Sequence, residues 1–424
     1  MANELAHDLM CTLWDEVAET TSMKMSLSKD LEVYNMGGDS NDDRATSATD
    51  NANDAAGGGD REYIPQEYRF ETQDGIVSSD SDFQDIVDRM IPVNRRKSKR
   101  VLAFIDAKGL RDPQRRKKVM QGFARDIANT VDLTCYQTMI NQSTMAVVNS
   151  TAFNYQAPID AEVLMLNYGL GGFDKNLFLS NKDYAQVAKD LGQNQYYGKD
   201  GVPNDALTKA KLPMLATFDT MRSDYLVNLP APTPAALTIN GAQEHTVSTY
   251  DANDFYLDNR SMSLLVNLST TATMPVGTKF TIDGVNFLHP ETREDTGELL
   301  TLTVIASGTG SVSVQPAIVS TGPYRNASAA AADTAAVTVL NIAASNPSLF
   351  YTPESTVLIP GQLPVPADAA NVTSIEATTE QGLPMRMTYR YDFHKERYEM
   401  KALIFFDVQV VYPNQLGMIL SNQV

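Results

Sequence analysis

The sequence predicts an α+β protein into which a separate all-β unit is inserted, and three patterns predict it. From Asp112-Pro113 onward the apolar residues Val119, Phe123, Ile127 and Val131 recur every fourth position, the mark of one long amphipathic helix. Between 235 and 343, short runs alternate apolar and polar residues between turn signals, as the strands of a small barrel or sandwich do. From Met400 to Val410 the alternation holds along a single long strand. At 424 residues the chain exceeds what one hydrophobic core usually serves, so two or three packed units are expected.

Composition narrows the class. Apolar residues make up 43% and charged residues 20%, ordinary for a folded protein. A net charge of −18 argues against a protein that wraps nucleic acid, which needs a basic surface to displace counterions. It permits one that encloses DNA without gripping it. Cys11 and Cys135 are far apart with no third cysteine, so a disulfide framework or zinc ribbon is not expected and a reducing cytoplasm is. The first residues carry acids and no basic n-region, unlike a secretory signal. No apolar run approaches the ~20 residues needed to span a bilayer, so no membrane is expected.

Taken in order, residues 3–21 read as an amphipathic helix, with Leu5, Leu9, Leu13 and Val17 four apart and Met10 and Trp14 widening the stripe. Asp15, Glu16 and Glu19 lie largely off it. Such a helix either packs on its own core or docks on another chain. The run at 37–60 holds almost nothing to bury and predicts a mobile segment. Over 61–105, the pieces EYRF, DIVDRMI and RVLAFI fit a long extended hairpin. The helix that follows has Asp112 at its N-cap and Pro113 at its first position. Reaching about Val147, it would be a spine ~50 Å long. Within 158–228, NLFLS predicts a strand and Asn181-Lys-Asp183 a capped helix; Pro230, Pro232 and Pro234 close the section. In the β-unit, Phe280, Ile282, Val285 and Phe287 flank Asp283-Gly284, which predicts a two-residue hairpin turn. Further strands are expected around Leu300–Val304, Val312–Val314 and Ala336–Ile342, and a polar break falls at Asn346-Pro347. Met385 to Tyr391 and Met400 to Val410 then alternate as strands beside the spine.

Catalytic chemistry finds no foothold. His7, His245, His289 and His394 are scattered, and no nucleophile elbow, Walker loop or dinucleotide fingerprint occurs. Gly169-Leu-Gly171-Gly172 reads as a loop, since it lacks the spacing of a phosphate cradle. No cofactor, metal or catalytic residue is expected. Two basic clusters stand against the acidic background: Arg95, Arg96, Lys97, Lys99 and Arg100, then Arg111, Arg115, Arg116, Lys117 and Lys118. One reading is solvated surface. The other starts from the helix dipole, which disfavours cations in a first turn by ~0.3–1 kcal/mol each, and places acidic groups of a neighbouring subunit opposite them.

Several strings then carry a resemblance: INGAQ at 239–243, LDNR at 257–260, VGTKFTIDGVNFL at 276–288 and AAVTVLNIAASNPSLFY at 335–351. LWDEVAETTS at 13–22, FLSNKDYAQVAKDL at 178–191 and ALIFFDVQVVYPNQLGMIL at 402–420 extend it over nearly the whole chain. In order and spacing they are similar to the major coat proteins of short-tailed, double-stranded-DNA phages of the Salmonella and Shigella type. The run at 37–60 and the hairpin after it depart from that pattern.

The resemblance implies the tailed-phage capsid fold of the Hong Kong ninety-seven type, with a telokin-like insertion domain. It implies an N-terminal arm at 1–36, an E-loop at 37–105 and the spine helix of the P-domain at 106–149. Parts of the A- and P-domains fall at 150–232, the inserted β-domain at 233–345, and the rest of the A-domain with the P-domain strands at 346–424. The implied function is self-assembly, in pentamers and hexamers, with a scaffolding protein into an icosahedral procapsid that matures around packaged DNA, bound without sequence specificity. The implied partners also include a portal protein and decoration or tail proteins; the implied location is the virion, and the host cytoplasm during assembly. Asp15, Glu16 and Glu19 are the candidates for docking scaffold. Asp251, Asp254 and Asp258 join Arg95, Arg96, Lys97, Arg100, Arg115, Arg116, Lys117 and Lys118 as candidates for inter-subunit salt bridges. The alternative is another phage structural protein, of tail or decoration, or an adhesin with an immunoglobulin-like module; those lack a long helix ahead of the β-insert.

Overall fold

The computed structural model describes residues 2–34, 61–72, 83–84, 86–94, 97–106, 112–194, 214–225, 227–233, 237–250, 256–267, 274–308, 310–361, 373–392, 394–395 and 397–423. The run at 37–60 lies outside them. The chain divides into two compact units, Met1–Ile64 with Pro92–Tyr136 and Thr356–Gln409, and Pro65–Ile91 with Gln137–Ser355 and Val410–Val424.

Among the described residues, two helices, a six-stranded sheet and a two-stranded ladder build the first unit. The arm helix, Ala2–Lys24, ends where Thr20, Thr21 and Ser22 turn their hydroxyls back onto the carbonyls of Glu16, Val17 and Ala18. The spine helix starts as its cap signal requires: Asp112 Oδ1 accepts the Gln114 N–H at 3.0 Å and Pro113 stands first in the helix. Of its expected stripe Phe123, Ile127 and Val131 are buried, each side chain worth ~1.5–3 kcal/mol of transfer free energy, while Val119 is half-buried and Met120 takes the inward place. The strands are Glu32–Val33 (β1), Arg61–Pro65 (β2), Met90–Asn94 (β3), Ser98–Asp106 (β4), and, after those of the second unit, Thr356–Pro360 (β15), Thr373–Thr378 (β16), Pro384–Asp392 (β17) and Arg397–Val410 (β18). A six-stranded sheet runs β1-β15-β18-β17-β16, and β4 lies on β18 from Arg397 to Phe405. β2 and β3 form a ladder of their own. The expected strands at EYRF and DIVDRMI are therefore displaced, since pairing begins at Arg61 and at Met90. β18 is the long period-two strand, 14 residues and about 46 Å at ~3.3 Å per residue.

The second unit joins a mixed sheet to a barrel. Its strands are Met145–Val148 (β5), Asn176–Leu179 (β6), Asp219–Arg222 (β7), Leu237–Thr238 (β8), Met262–Leu265 (β9), Lys279–Leu288 (β10), Asp295–Ser307 (β11), Ser311–Gln315 (β12), Ala336–Val339 (β13), Ser348–Tyr351 (β14) and Leu416–Leu420 (β19). One sheet runs β5-β19-β14-β6-β7, with a helix at Gln156–Asn167 against β5 and another at Asn181–Asn194. The other runs β8-β13-β10-β11-β12-β9, antiparallel throughout. Its end strands meet, because Asn240 N–H donates to Leu265 O at 3.0 Å and Asn267 N–H to Thr238 O at 2.8 Å. The sheet thus closes into a barrel filled by Phe280, Ile282, Leu302, Val304 and Val314, and closure removes exposed edges. Chain entry and exit lie side by side, Leu229 and Ser345 exchanging hydrogen bonds of 2.8 and 3.2 Å.

Three local expectations are corrected. The Asp283-Gly284 pair makes no hairpin turn. β10 runs straight through it, and the register against β11 slips between Thr281 and Asn286. Gly284, at φ +80°, supplies the positive φ a bulge needs as readily as it would a turn. The spine helix stops at Gln142 and not near Val147, because Met145–Val148 pairs in parallel with Gly417–Leu420. At 30 residues it is ~45 Å long. The cap of the helix at Asn181–Asn194 comes one residue earlier than expected, the Asp183 N–H donating to Ser180 Oγ at 3.3 Å.

Just beyond the end of the spine helix stands a group no sequence signal marked. Lys279 is fully buried and donates to the Ser143 carbonyl, to Ser143 Oγ at 2.8 Å and to Thr303 Oγ1 at 2.6 Å. Burial pushes its amine well below the ordinary lysine range. The negative end of the helix dipole favours a cation there, which partly offsets that desolvation.

Candidate assembly surfaces

The acids of the arm helix are presented as the periodicity requires. Trp14, Val17 and Ala18 face inward and are buried, while Asp15, Glu16 and Glu19 are exposed. The arm helix packs on β16 of its own unit, and Ser22 Oγ accepts the Glu380 N–H at 3.1 Å. Of its two expected placements, this turn of the helix takes the one on its own core. Glu16 reaches Lys117 of the spine helix at 3.3 Å, with side chains 48% and 60% exposed. At that exposure the pair is worth ~0–1 kcal/mol. What fixes the arm is a carboxylate that sequence reasoning missed. Asp132, fully buried on the spine helix, accepts the Ser26 N–H and Oγ–H at 2.8 and 3.0 Å and the Ser28 N–H and Oγ–H at 3.1 and 2.6 Å.

The basic clusters divide. Arg95, Arg96 and Arg111 lie outside the described residues, and so does the side chain of Arg116. Arg100, Arg115 and Lys118 are exposed. Lys97 is not spare: its amine meets Asp407 Oδ1 at 2.7 Å. Asp407, 3% exposed, also accepts from the backbone of Asn94 and Val408 and from Gln409 Nε2, so its charge is held by four donors. An acid inside the run 402–408 of β18, where every residue is buried, was the available signal.

β4 carries a feature the charge pattern did not foretell. Leu102 and Phe104 are each 61% exposed on its outer face, in the cross-strand rows of Lys401 and Glu399 on β18. Beside them, the Arg397 guanidinium lies 3.7 Å from the Phe104 ring centre. Large apolar side chains standing together on a sheet face make this a candidate contact surface.

In the barrel, Asp251 and Asp254 lie outside the described residues. Asp258 is engaged within its own chain: Arg260 Nε and a terminal nitrogen hold its two oxygens at 2.9 and 2.7 Å. Asn259 ties the same loop, accepting from Ser248 N–H and donating to Ser248 O. The LDNR string is thus a loop lock, and any role of Asp258 between subunits requires it to exchange partners. For chemistry the described residues offer little: no three His, Cys, Asp or Glu side chains gather to hold a metal, and no helix is long and apolar enough to cross a membrane.

A family model described as P22 coat protein, gene protein 5, matches residues 2–421. Among solved structures, the CUS-3 coat protein I-domain is 34% identical over 26% of this chain and 98% of its own, at a TM-score of 0.22. Mycobacterium phage Che8 matches 93% of this chain and 90% of its own at 6% identity and a TM-score of 0.42. The bacteriophage PhiM1 mature capsid matches 94% and 88% at 8% identity and a TM-score of 0.43.

Proposed function

This chain belongs to the P22 coat protein family, and on that premise we propose which of its surfaces build the shell. It is a phage major capsid protein with the Hong Kong ninety-seven type fold, a structural subunit of an icosahedral shell and not an enzyme. The match across 2–421 sets aside the tail, decoration and adhesin readings.

The observation that carries the surface reading is the pair Leu102 and Phe104 on β4, each 61% exposed beside basic Lys99 and Arg100. We assign this face of the E-loop (37–105) to contact with a neighbouring copy. The apolar pair supplies affinity and the charges register, as in protein interfaces generally. Arg115 and Lys118, exposed at the start of the spine helix, are assigned to acidic groups of a neighbour. Arg95, Arg96, Arg116, Asp251 and Asp254 keep that role by resemblance. Each exposed pair is worth only ~0–1 kcal/mol, but a shell repeats it in every copy. Asp15 and Glu19, exposed and unpaired among the described residues, with Glu16 beside them, form the docking face for a basic helix of the scaffolding protein. The remaining assignments follow the family: arm 1–36, spine 106–149, A- and P-domain parts 150–232 and 346–424, and insertion domain 233–345. A portal protein and decoration or tail proteins are the further partners. The net charge of −18 suits a wall that contains DNA without binding it.

Co-expression with the scaffolding protein tests both surfaces. Replacing Asp15, Glu16 and Glu19 together by Ala is expected to abolish scaffold capture while the free subunit keeps its melting temperature. Undiminished capture would refute the docking face. Reversing Lys118 to Glu is expected to stop assembly, and an acidic-to-basic reversal in the neighbour to restore it; assembly that survives the single reversal refutes the salt bridge.

A further inference from the structure

We propose that the second unit contains a binding site for a small oxyanion, phosphate or carboxylate in kind, in a cleft lined by Arg69, Arg89, Arg260 and Arg325. The cleft measures about 150 Å³ and is walled by Tyr168, Phe287 and Tyr324. A cleft of this size has room for one small oxyanion together with bound water.

Its charge is not balanced from within. Arg260 is taken up by Asp258, and its remaining terminal nitrogen donates to the Val410 carbonyl. Glu67 lines the cleft as the other carboxylate, exposed and without an ion pair among the described residues. Against four guanidiniums, these two acids leave two cations over. Arg69 spends one nitrogen on the Pro290 carbonyl at 3.4 Å. Arg89 is half-buried, its guanidinium 4.7 Å from the Tyr324 ring centre, and its buried Nε–H has no acceptor among the described residues. Burial and the charges of Arg69 and Arg260 press its pKa below the ordinary arginine value, while Tyr324 and Asp258 oppose that. A buried N–H without a partner is rare and costly. Guanidiniums present their donors in a fork that matches the oxygens of a carboxylate or phosphate. In a chain of net charge −18, a cationic cleft of this kind is a local exception that needs a counter-ion.

The chemistry admits two sources, inorganic phosphate in solution and an acidic side chain of a second copy. Thermal melts of the unassembled full chain in phosphate or in chloride, at matched ionic strength, test the site. Phosphate is expected to give a saturable rise of several degrees. That rise should vanish in Arg89→Met and shrink at least tenfold in apparent affinity in Arg69→Gln, each checked for native far-ultraviolet dichroism. Arg115→Met, distant in sequence and on the other unit, should keep the rise. A phosphate effect of equal size in all four proteins would overturn the proposal, as would none in the wild type. Assembly kinetics then separate the sources. If a second copy supplies the carboxylate, phosphate slows wild-type assembly and leaves Arg89→Met unaffected; if the occupant is the free anion, both assemble at rates phosphate does not change.

Discussion

Removing the Asp132 carboxylate should loosen the arm helix before it disturbs anything else. In Asp132→Ala four hydrogen bonds go. Ser26 is exposed, so its N–H and hydroxyl turn to water at little cost. Ser28 is fully buried, and its N–H and hydroxyl, now at 3.1 and 2.6 Å from the carboxylate, lose their partner. Two buried polar groups left unsatisfied at ~1–3 kcal/mol each give a cost of about 4 kcal/mol. For a unit of this size that is a fall of about 10 °C in melting temperature. The chain supplies its own reporter. Trp14 is its one tryptophan and is fully buried on the arm helix, so its emission follows the arm alone. Melts of the unassembled chain read by Trp14 emission should show the early transition in Asp132→Ala. Asp132→Asn should lose about half as much, since one oxygen remains, and Ser26→Ala should lose little. A Trp14 transition unmoved in Asp132→Ala would refute the reasoning, and so would a loss no larger than that of Ser26→Ala.

Three other perturbations have defined outcomes. Gly417 faces Phe350 across the β14–β19 pair, and a Cβ there would come within 2.1 Å of a ring atom. Because that ring is fully buried and edge-on to Phe218, Gly417→Ala should cost about 3 kcal/mol by overpacking, measured as a lowered urea midpoint; an unchanged midpoint contradicts it. The Asp183 carboxyl is raised above its ordinary value by burial, with bonds from Ser348 and Ser180 opposing. The folded state therefore holds that proton more tightly, and the stability it contributes is present at acid pH and lost as pH rises through the folded value. Relative to Asp183→Asn, the wild type should gain stability on going from pH 7 towards pH 4, and a difference independent of pH would rule this out. Leu102→Asp with Phe104→Asp, at exposed positions, should change the melting temperature of the free chain by less than ~2 °C, ~0.5 kcal/mol being usual there. The same pair should abolish shell formation, and normal shells would remove β4 from the interface.

Much of the fold was legible because it is written locally. Asp112-Pro113 marked the start of the spine helix, and the alternation from Met400 to Val410 marked β18. The errors arose where one local signal serves two structures. Asp283-Gly284 provides a positive φ, and whether that makes a turn or a bulge is decided by β11 and β13 on either side. Met145 and Val147 suit a helical stripe and a buried strand alike, and pairing with β19 decides. For the assembly surfaces, the sequence showed charges but not their partners. Lys97 and Asp258 looked free because Asp407 lies 310 residues from Lys97, and Arg260 sits in the same short string as Asp258. Asp132 and Lys279, polar residues on buried faces, could not be told from surface residues without Ser28 and Ser143, more than a hundred positions away. Leu102 and Phe104 belong to the strand-like piece RVLAFI, whose unbroken apolar run marks a strand but not the face that meets solvent.

The central claim is that copies of this chain close into a regular shell. Electron microscopy of the purified chain, expressed alone and with its scaffolding protein, tests it most directly. Closed particles of uniform diameter in the presence of scaffold are predicted, with irregular or open assemblies in its absence. A monodisperse monomer under both conditions would contradict it.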